Sequence, residues 1–540
     1  MQENIMQFIT TAISYANGPP HIGHAFELII ADALTRFNKL KGEQVFFQTG
    51  MDEHGQKIEQ TAKKHKQTPK ELCDDVCILF KNLNSKLNID CDSFIRTTEE
   101  QHKHMVYSIF NKCMENGDIY VDEYEGWYNE REETFVTEFD AKGMNYKDAT
   151  TETPLVKMKE PSYFFRLSKY NDNIIEYLQK NPNFIKGQND VLVRLKDKPL
   201  LDISISRTTI NWGIPVPNSE GKHVFYVWFD ALINYLTGCP MESWPPSIQV
   251  IGKDIVWFHA VIWIGMLMSA KLELPKQLLV HGFVNDENGK KMSKSVGNVV
   301  SIDELTSNYP SYAIRYYLLK DNVLNDISFS EKLLIKRHDS DLLSELGNLV
   351  HRIFSMCHKY CDSKIPSYHR VDHHRVQIFD IDAFSKKCVK HIDHFEFHLY
   401  VDELFEKIHD INTYVNDTKI WEIGKPIKED DSLEKRRSKE RPLNDISNIM
   451  RTLLESLFII GHFIHPIMPD VADKIIIDFL GTEYRTFGEL CWSNLQENME
   501  LVKTNTILFT IIDTDLFNKR KEQNGEKKIA KDAKNKLQKM

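Results

Sequence analysis

The chain has 540 residues, of which 41% are apolar and 27% charged, and its formal net charge is −10. That length exceeds one hydrophobic core and calls for about two to four domains of ordinary globular composition. The acidity excludes a uniformly basic nucleic-acid binder, though not one with a local basic stripe, and no run of about 18 uncharged apolar residues offers a membrane-spanning helix.

In chain order, residues 6–14 read as a short β run. The turn Asn17-Gly18-Pro19-Pro20 follows, then an apolar-periodic helix from His21, with Pro20 suited to the first helical turn. A strand, a tight turn and a helix N-terminus make a site for anions. A second strand, Gln44 to Thr49, runs into Gly50-Met51-Asp52-Glu53-His54-Gly55. This alternation predicts an α/β fold: a Rossmann-like, doubly wound parallel sheet with ligands at the C-terminal ends of its strands.

From Gly117 to Lys222 the texture is charged and β-rich, as expected of an inserted domain. The α/β texture returns at Val224–Trp228 and at Ser247–Gly252. The most apolar run, Ile255 to Ala270, reads as buried core. From about Ser330 to Asp478 apolar residues recur at three-to-four spacing, which predicts an all-α bundle. Within it, the charged stretch Pro426 to Arg441 reads as an exposed loop. The chain closes on a basic tail: Asn518 to Met540 hold nine Lys or Arg against three acids. That tail reads equally as a solvated segment or as a nucleic-acid contact. The nine cysteines are odd in number and scattered, and no signal-peptide layout opens the chain, so free thiols in a reducing cytoplasm are expected.

Two motifs carry chemistry. His21-Ile22-Gly23-His24 puts two imidazoles at i and i+3 beside the free N–H groups of a helix start, while Gly23 allows close approach of a ring or backbone. That set suits a triphosphate reacting at its α-phosphate. Lys291-Met292-Ser293-Lys294-Ser295, flanked by Gly289 and Gly297, can close two ammonium groups over a departing pyrophosphate. Taken singly, the first is also compatible with a surface or metal-binding histidine pair, and the second with a solvated lysine turn.

Together, in this order and about 270 residues apart, the two motifs resemble the paired signatures of class I aminoacyl-tRNA synthetases. Ala12–Gly18, Gly50–Gly55, Tyr226–Ala231 and Gly252–His259 are similar to the methionyl branch of that class. The resemblance runs from about Phe8 to Pro469, thins in the insert and is absent from the tail.

The resemblance implies roles, residue by residue. His21, His24, Lys291 and Lys294 match the catalytic positions, with Lys294 also at ATP. Gly23, Glu27, Gly252 and Asp254 match ATP-binding positions. Asp52 matches the carboxylate that holds the substrate ammonium, and Arg207 an arginine near it. Ala12, Ile13, Tyr15, Trp228, Ala231, Tyr235, Ile255 and His259 match the thioether slot, where the Tyr15 hydroxyl and His259 are expected as donors near the sulfur. Asn348, Arg352 and Trp421 match the anticodon readers. The chain departs from the family at Leu232, Tyr312 and Ile420, none expected to touch the chemistry.

The implied organisation is a catalytic domain in two halves (1–116 and 223–285) around a connective domain (117–222). A lysine-loop and stem-contact region (286–330), an anticodon-binding helix bundle (331–500) and an extension (501–540) follow. The implied reactants are methionine, ATP with Mg2+, and tRNA(Met); a cytoplasmic monomer without a membrane partner is expected.

Other class I specificities fit less well. The leucine, isoleucine and valine enzymes carry larger editing inserts, and the cysteine enzyme needs a zinc site absent here. The helical C-terminal half argues against another nucleotidylyl transferase. The intact His21, His24, Lys291 and Lys294 argue against a non-catalytic RNA-binding module. No structural zinc is expected, because Gly117 to Lys222 contain no cysteine. Aromatic residues Trp127, Tyr128, Phe135, Tyr163, Phe164 and Phe165 are expected to hold the insert instead.

Overall fold

A computed structural model describes residues 6–129, 134–136, 138–148, 153–292, 298–368, 377–423, 433–502 and 507–512. Lys294 and the basic tail from Asn518 lie outside them. At the centre is a parallel sheet. Its spatial order is Ser93–Arg96, Val45–Asp52, Gln7–Thr11, Ile248–Gly252, Leu278–His281 and Ile185–Lys186. Ser14–Tyr15 continues the first strand and pairs with Met51 and Asp52. From Gln7–Thr11 the chain builds outward in one direction, then in the other, so the order reverses between Gln7–Thr11 and Ile248–Gly252. A crevice opens beyond the strand ends at such a reversal. All of Val45–Asp52 except Phe46 is buried, as a strand covered on both faces must be.

The first long helix, Ile22–Leu40, is buried on nearly every side. One face lies on the sheet. The other meets the C-terminal helices, where Phe37 contacts Tyr400 and Phe487. Charge is buried in this seam. Asp32 takes Arg315 at 2.6 Å and Arg36 at 2.8 Å. Burial works to raise the Asp32 carboxyl, but the two guanidinium groups outweigh it and hold it below its usual range. Arg315 also donates to the carbonyls of Ile467, Pro466 and Leu87, so one side chain ties the sheet domain to the helical region.

The antiparallel sheet of the insert comprises Thr134–Val136, Ile119–Asn129, Val156–Phe165 and Ile203–Ser204. Its aromatic residues divide between two cores. Trp127 packs on Tyr146 beside Val136, Ala141 and Leu155, whereas Phe165 is buried in the catalytic core. The side chain of Phe135 is outside the described set. Ile185–Lys186, though within 117–222, is an edge strand of the parallel sheet.

Helices Glu331–Arg337, Asn348–Tyr360, Ile381–Asp393, Phe397–Thr418 and Leu433–Ile464 form the helical region. Three sequence expectations are corrected. Val224–Trp228 is not a sheet strand: Val224–Phe225 pairs antiparallel with Ser206–Arg207, and Val227–Ala231 is helical. The charged stretch to Arg441 is helical from Leu433, because Glu, Lys and Arg are good helix formers whatever their exposure. Pro20 lies outside its helix, which starts at Ile22 with His21 as its cap.

Candidate active site

A cavity of about 380 Å3 opens at the sheet reversal. That volume suits a small-molecule site. The first strand brings Ala12, Ile13 and Tyr15 to it, and the helix start brings His21, Gly23, His24 and Glu27. Asp52 closes one side. Trp228, Ala231 and Tyr235 form a wall on the helix Val227–Ala231 and the 3-10 turn after it. Gly252, Asp254, Ile255 and His259 follow the strand Ile248–Gly252. A π-helical stretch, Phe258–Trp263, carries His259; such stretches recur at functional sites.

The histidine motif is a helix cap. The Gly23 N–H donates to His21 Nδ1 at 3.1 Å, and the His21 N–H donates to His24 Nδ1 at 3.2 Å. The two rings stack with centres 3.8 Å apart. A Cβ on residue 23 would meet the His21 ring at 3.0 Å, a tight contact that the glycine avoids.

In the slot, Trp228 stacks on Phe258 at 3.8 Å. Burial pushes His259 down to about 4, so its ring is neutral near pH 7. Its Nδ1–H donates to the Ile255 carbonyl at 2.9 Å, and its Nε2 therefore accepts from the Tyr235 hydroxyl at 2.7 Å. A neutral imidazole has one N–H. His259 thus has no hydrogen left for a thioether, which corrects the expectation that it is a donor near the sulfur.

Glu27 is half-buried against His281, whose Nε2 lies 3.0 Å from the carboxylate while Nδ1 lies 2.8 Å from the Gly282 carbonyl. Burial raises the Glu27 carboxyl despite that hydrogen bond. For His281 burial opposes protonation, but the Glu27 carboxylate wins and raises it.

Behind the slot, the turn after Val45–Asp52 is clamped. The Glu53 carboxylate takes Arg96 at 2.6 Å and Thr98, its N–H donates to Thr97, and its carbonyl accepts the Trp212 indole N–H.

Two expected residues are not in the lining. Arg207 is buried beside it on the ribbon Ser206–Arg207, donating to Ser204 and the Ser206 carbonyl and lying 4.3 Å from the Tyr226 ring centre. Lys291 sits one residue out, its ammonium 4.0 Å from the ring centre of Phe283, which does line the cavity. The turn before it is set by Asp286, which accepts from the N–H groups of Asn288 and Lys290 and from Asn298.

Lys57, Leu232, Asn234, Phe258, His281 and Phe283 line the cavity but were not singled out for it. Leu232 does face the chemistry, contrary to expectation. Lys57 stood two residues beyond Gly55 and Phe258 stood beside His259, so proximity to a motif was an available signal. Nothing local pointed to His281.

In the helical region, Arg352 donates to Asn416 at 2.8 Å and lies 5.9 Å from the ring centre of Trp421, which is 43% exposed. Asn348, one turn earlier, donates to the Ser344 carbonyl. Ile420 and Tyr312 are buried, the latter against His338 and Phe509. Among the described residues, no group of three or more His, Cys, Asp or Glu is arranged to hold a metal, and no helix is long and apolar enough to cross a membrane.

The sequence model of the family described as "tRNA synthetases class I (M)" matches residues 7–149 and 145–354. With the sheet reversal and the histidine-capped helix, that match defines a class I aminoacyl-tRNA synthetase. The methionine--tRNA ligase of Brucella suis is 38% identical over 94% of this chain and 98% of its own length, and that of Oceanobacillus iheyensis is 38% identical over 94% and 77%. The Mycobacterium tuberculosis methionyl-tRNA synthetase in complex with methionyl-adenylate superposes with a TM-score of 0.84 at 34% identity, covering 93% of this chain and 99% of that one. The chain belongs to the methionyl-tRNA synthetase family.

Proposed function

We propose that the chain activates methionine with ATP and transfers it to the 3′ end of tRNA(Met). The observation that carries this reading is one cavity that joins an aromatic slot (Trp228, Tyr235, Phe258, His259), a buried carboxylate (Asp52) and a histidine-capped helix start.

Methionine enters with its thioether in the slot and its ammonium at Asp52, where an apolar wall and a buried charge divide the recognition. Its carboxylate attacks the α-phosphate of ATP. The C–O–P bond of methionyl-adenylate forms as the bond to pyrophosphate breaks. No protein nucleophile is required: positioning and charge stabilisation carry the step. His21 and His24 face the α-phosphate at the positive end of the helix Ile22–Leu40. Gly252, Asp254 and Glu27 take the adenosine side. Lys291 and Lys294 take the pyrophosphate, and Mg2+ arrives with the nucleotide. The ribose hydroxyl at the tRNA 3′ end then attacks the methionyl carbonyl, and AMP leaves.

Arg352 and Trp421, with Asn348 one turn away, read the anticodon by hydrogen bonding and stacking. Arg207 shapes the ammonium side from behind. Residues 117–222 serve as the connective region, 286–330 as the loop and stem contact, and 331–500 as the anticodon region, in a cytoplasmic monomer without structural zinc.

Exchange of labelled pyrophosphate into ATP, run with each amino acid in turn, tests the reading. Methionine alone should drive fast exchange. Leading exchange with leucine or cysteine, or none with methionine, would refute it.

A further inference from the structure

A fully buried carboxylate, Asp230, lies behind the slot and is not among the residues lining the cavity. Asp230 sits on the helix Val227–Ala231 between two wall residues, Trp228 and Ala231. Its Oδ2 is 2.6 Å from His54 Nδ1 and its Oδ1 is 2.6 Å from His102 Nε2. Burial alone would raise this carboxyl, yet the two histidines hold it down at about 2, so it is ionised and both ring nitrogens must donate.

The partners are far apart in sequence. His54 follows Asp52 by two residues in the clamped turn. His102 belongs to the helix Glu100–Glu115 and also meets Thr237 at 2.9 Å. A second tie lies close by: Gln48, on the same strand as Asp52, donates to the Asn234 carbonyl at 2.9 Å. Among the described residues, the wall bearing Trp228, Ala231 and Tyr235 is therefore fastened to the strand and turn bearing Asp52 through Gln48 and through Asp230, and of these Asp230 supplies charge.

We infer that Asp230 is a positioning residue. Held between His54 and His102, it fixes the spacing between the ammonium anchor Asp52 and the thioether wall at Trp228 and Ala231. This rests on the proposed methionine activation. A buried charge with two directed acceptors sets a distance more sharply than apolar packing does, because either histidine left unmatched would be a buried donor without an acceptor. ATP contacts on the other side of the cavity do not depend on that spacing.

The test is methionine-dependent pyrophosphate exchange by the full chain, with rates normalised to active sites counted by adenylate burst. In Asp230→Asn the amide turns an N–H toward one histidine donor. The KM for methionine should rise about tenfold or more, as expected for a broken charge-assisted hydrogen bond, while the KM for ATP stays within about twofold. A merely structural role would lower the count of active sites and leave the ratio of the two KM values unmoved, and that result overturns the inference. Where Asp230→Asn yields too little folded chain, His54→Gln, which keeps the His102 contact, reads the same split, and equal changes in both KM values again overturn it. Absence of exchange in the parent chain overturns the proposed function and this inference with it. Exchange in the parent with an unchanged methionine KM in both variants overturns this inference alone.

Discussion

Replacing Tyr235 by phenylalanine removes one oxygen from the slot and keeps its shape. In the parent, that hydroxyl donates to His259 Nε2 at 2.7 Å, and His259 spends its single N–H on the Ile255 carbonyl at 2.9 Å. Without Tyr235 Oη the Nε2 acceptor has no protein donor among the described residues. When the cavity is empty, water can enter and donate to it, so the free enzyme loses little. Bound methionine expels that water, and a thioether has no hydrogen to offer. The cost of an unsatisfied buried acceptor, about 1–3 kcal/mol, then falls on methionine binding and raises its KM by about 5- to 150-fold. ATP does not meet this pair, so its KM should hold. Pyrophosphate exchange measured against both substrates reads the split. The double variant Tyr235→Phe/His259→Leu deletes the acceptor with its donor and should recover much of the loss, as a positive coupling in the double-mutant cycle. An unchanged methionine KM in Tyr235→Phe, or strict additivity in the double variant, would refute the assignment of the His259 hydrogen.

Other consequences are open to measurement. Lys294→Ala should slow exchange by about 100-fold with methionine KM nearly constant, since its charge matters chiefly as pyrophosphate departs; a near-normal rate removes it from the mechanism. Trp421→Ala should cost about 1–3 kcal/mol in tRNA charging through lost stacking while leaving exchange intact, and a parallel fall in both assays would contradict a separate anticodon contact. Burial holds His259 and His462 down at about 4 and His465 at about 3, so each stabilises the fold above the unfolded value near 6.5 and loses that contribution as pH falls toward the folded value. Each should contribute up to about 3 kcal/mol of acid sensitivity, seen as a urea midpoint that drops between pH 7 and pH 4; a flat midpoint would show these rings exposed or already charged. Metal analysis of purified chain should find no stoichiometric zinc, and unfolding on chelation would reverse that expectation.

What could be read before folding was local. A glycine between two histidines at a helix start is a short-range arrangement: the cap bonds span two and three residues, so the sequence displays every participant. The same holds for Gly50 to Gly55, where a buried strand runs to Asp52 and then turns. The parallel sheet was legible because strand, tight turn and helix alternate at the start of the chain. Where the reading failed, local chemistry was ambiguous or the partner was remote. Val224–Trp228 is as apolar as a core strand, yet five residues give too little period to tell strand from helix. Leu433 to Arg441 is charged, which marks exposure and not backbone conformation.

Remote pairing also decides the chemistry inside the cavity. His281 meets Glu27 across 254 positions, Asp230 meets His54 across 176, and Tyr235 meets His259 across 24. The first two pairs set protonation states, an imidazole raised by a carboxylate and a carboxylate kept ionised, while burial keeps His259 neutral and its pairing turns the hydrogen away. Most of the residues expected in the slot and at the nucleotide line the cavity, so their types follow from what a ligand there would need. The residues behind them follow from what the first set needs in order to stay still. Asp52 needs a turn that does not move, and Glu53 and His54 supply it through Arg96 and Asp230. The wall at Trp228 needs a fixed distance from that turn, and the same Asp230 supplies it. A slot for an unbranched apolar side chain gains only about 1–3 kcal/mol per methylene from contact. Discrimination by such a slot therefore depends on walls held in register, which buried ionic pairs do and a yielding apolar wall cannot.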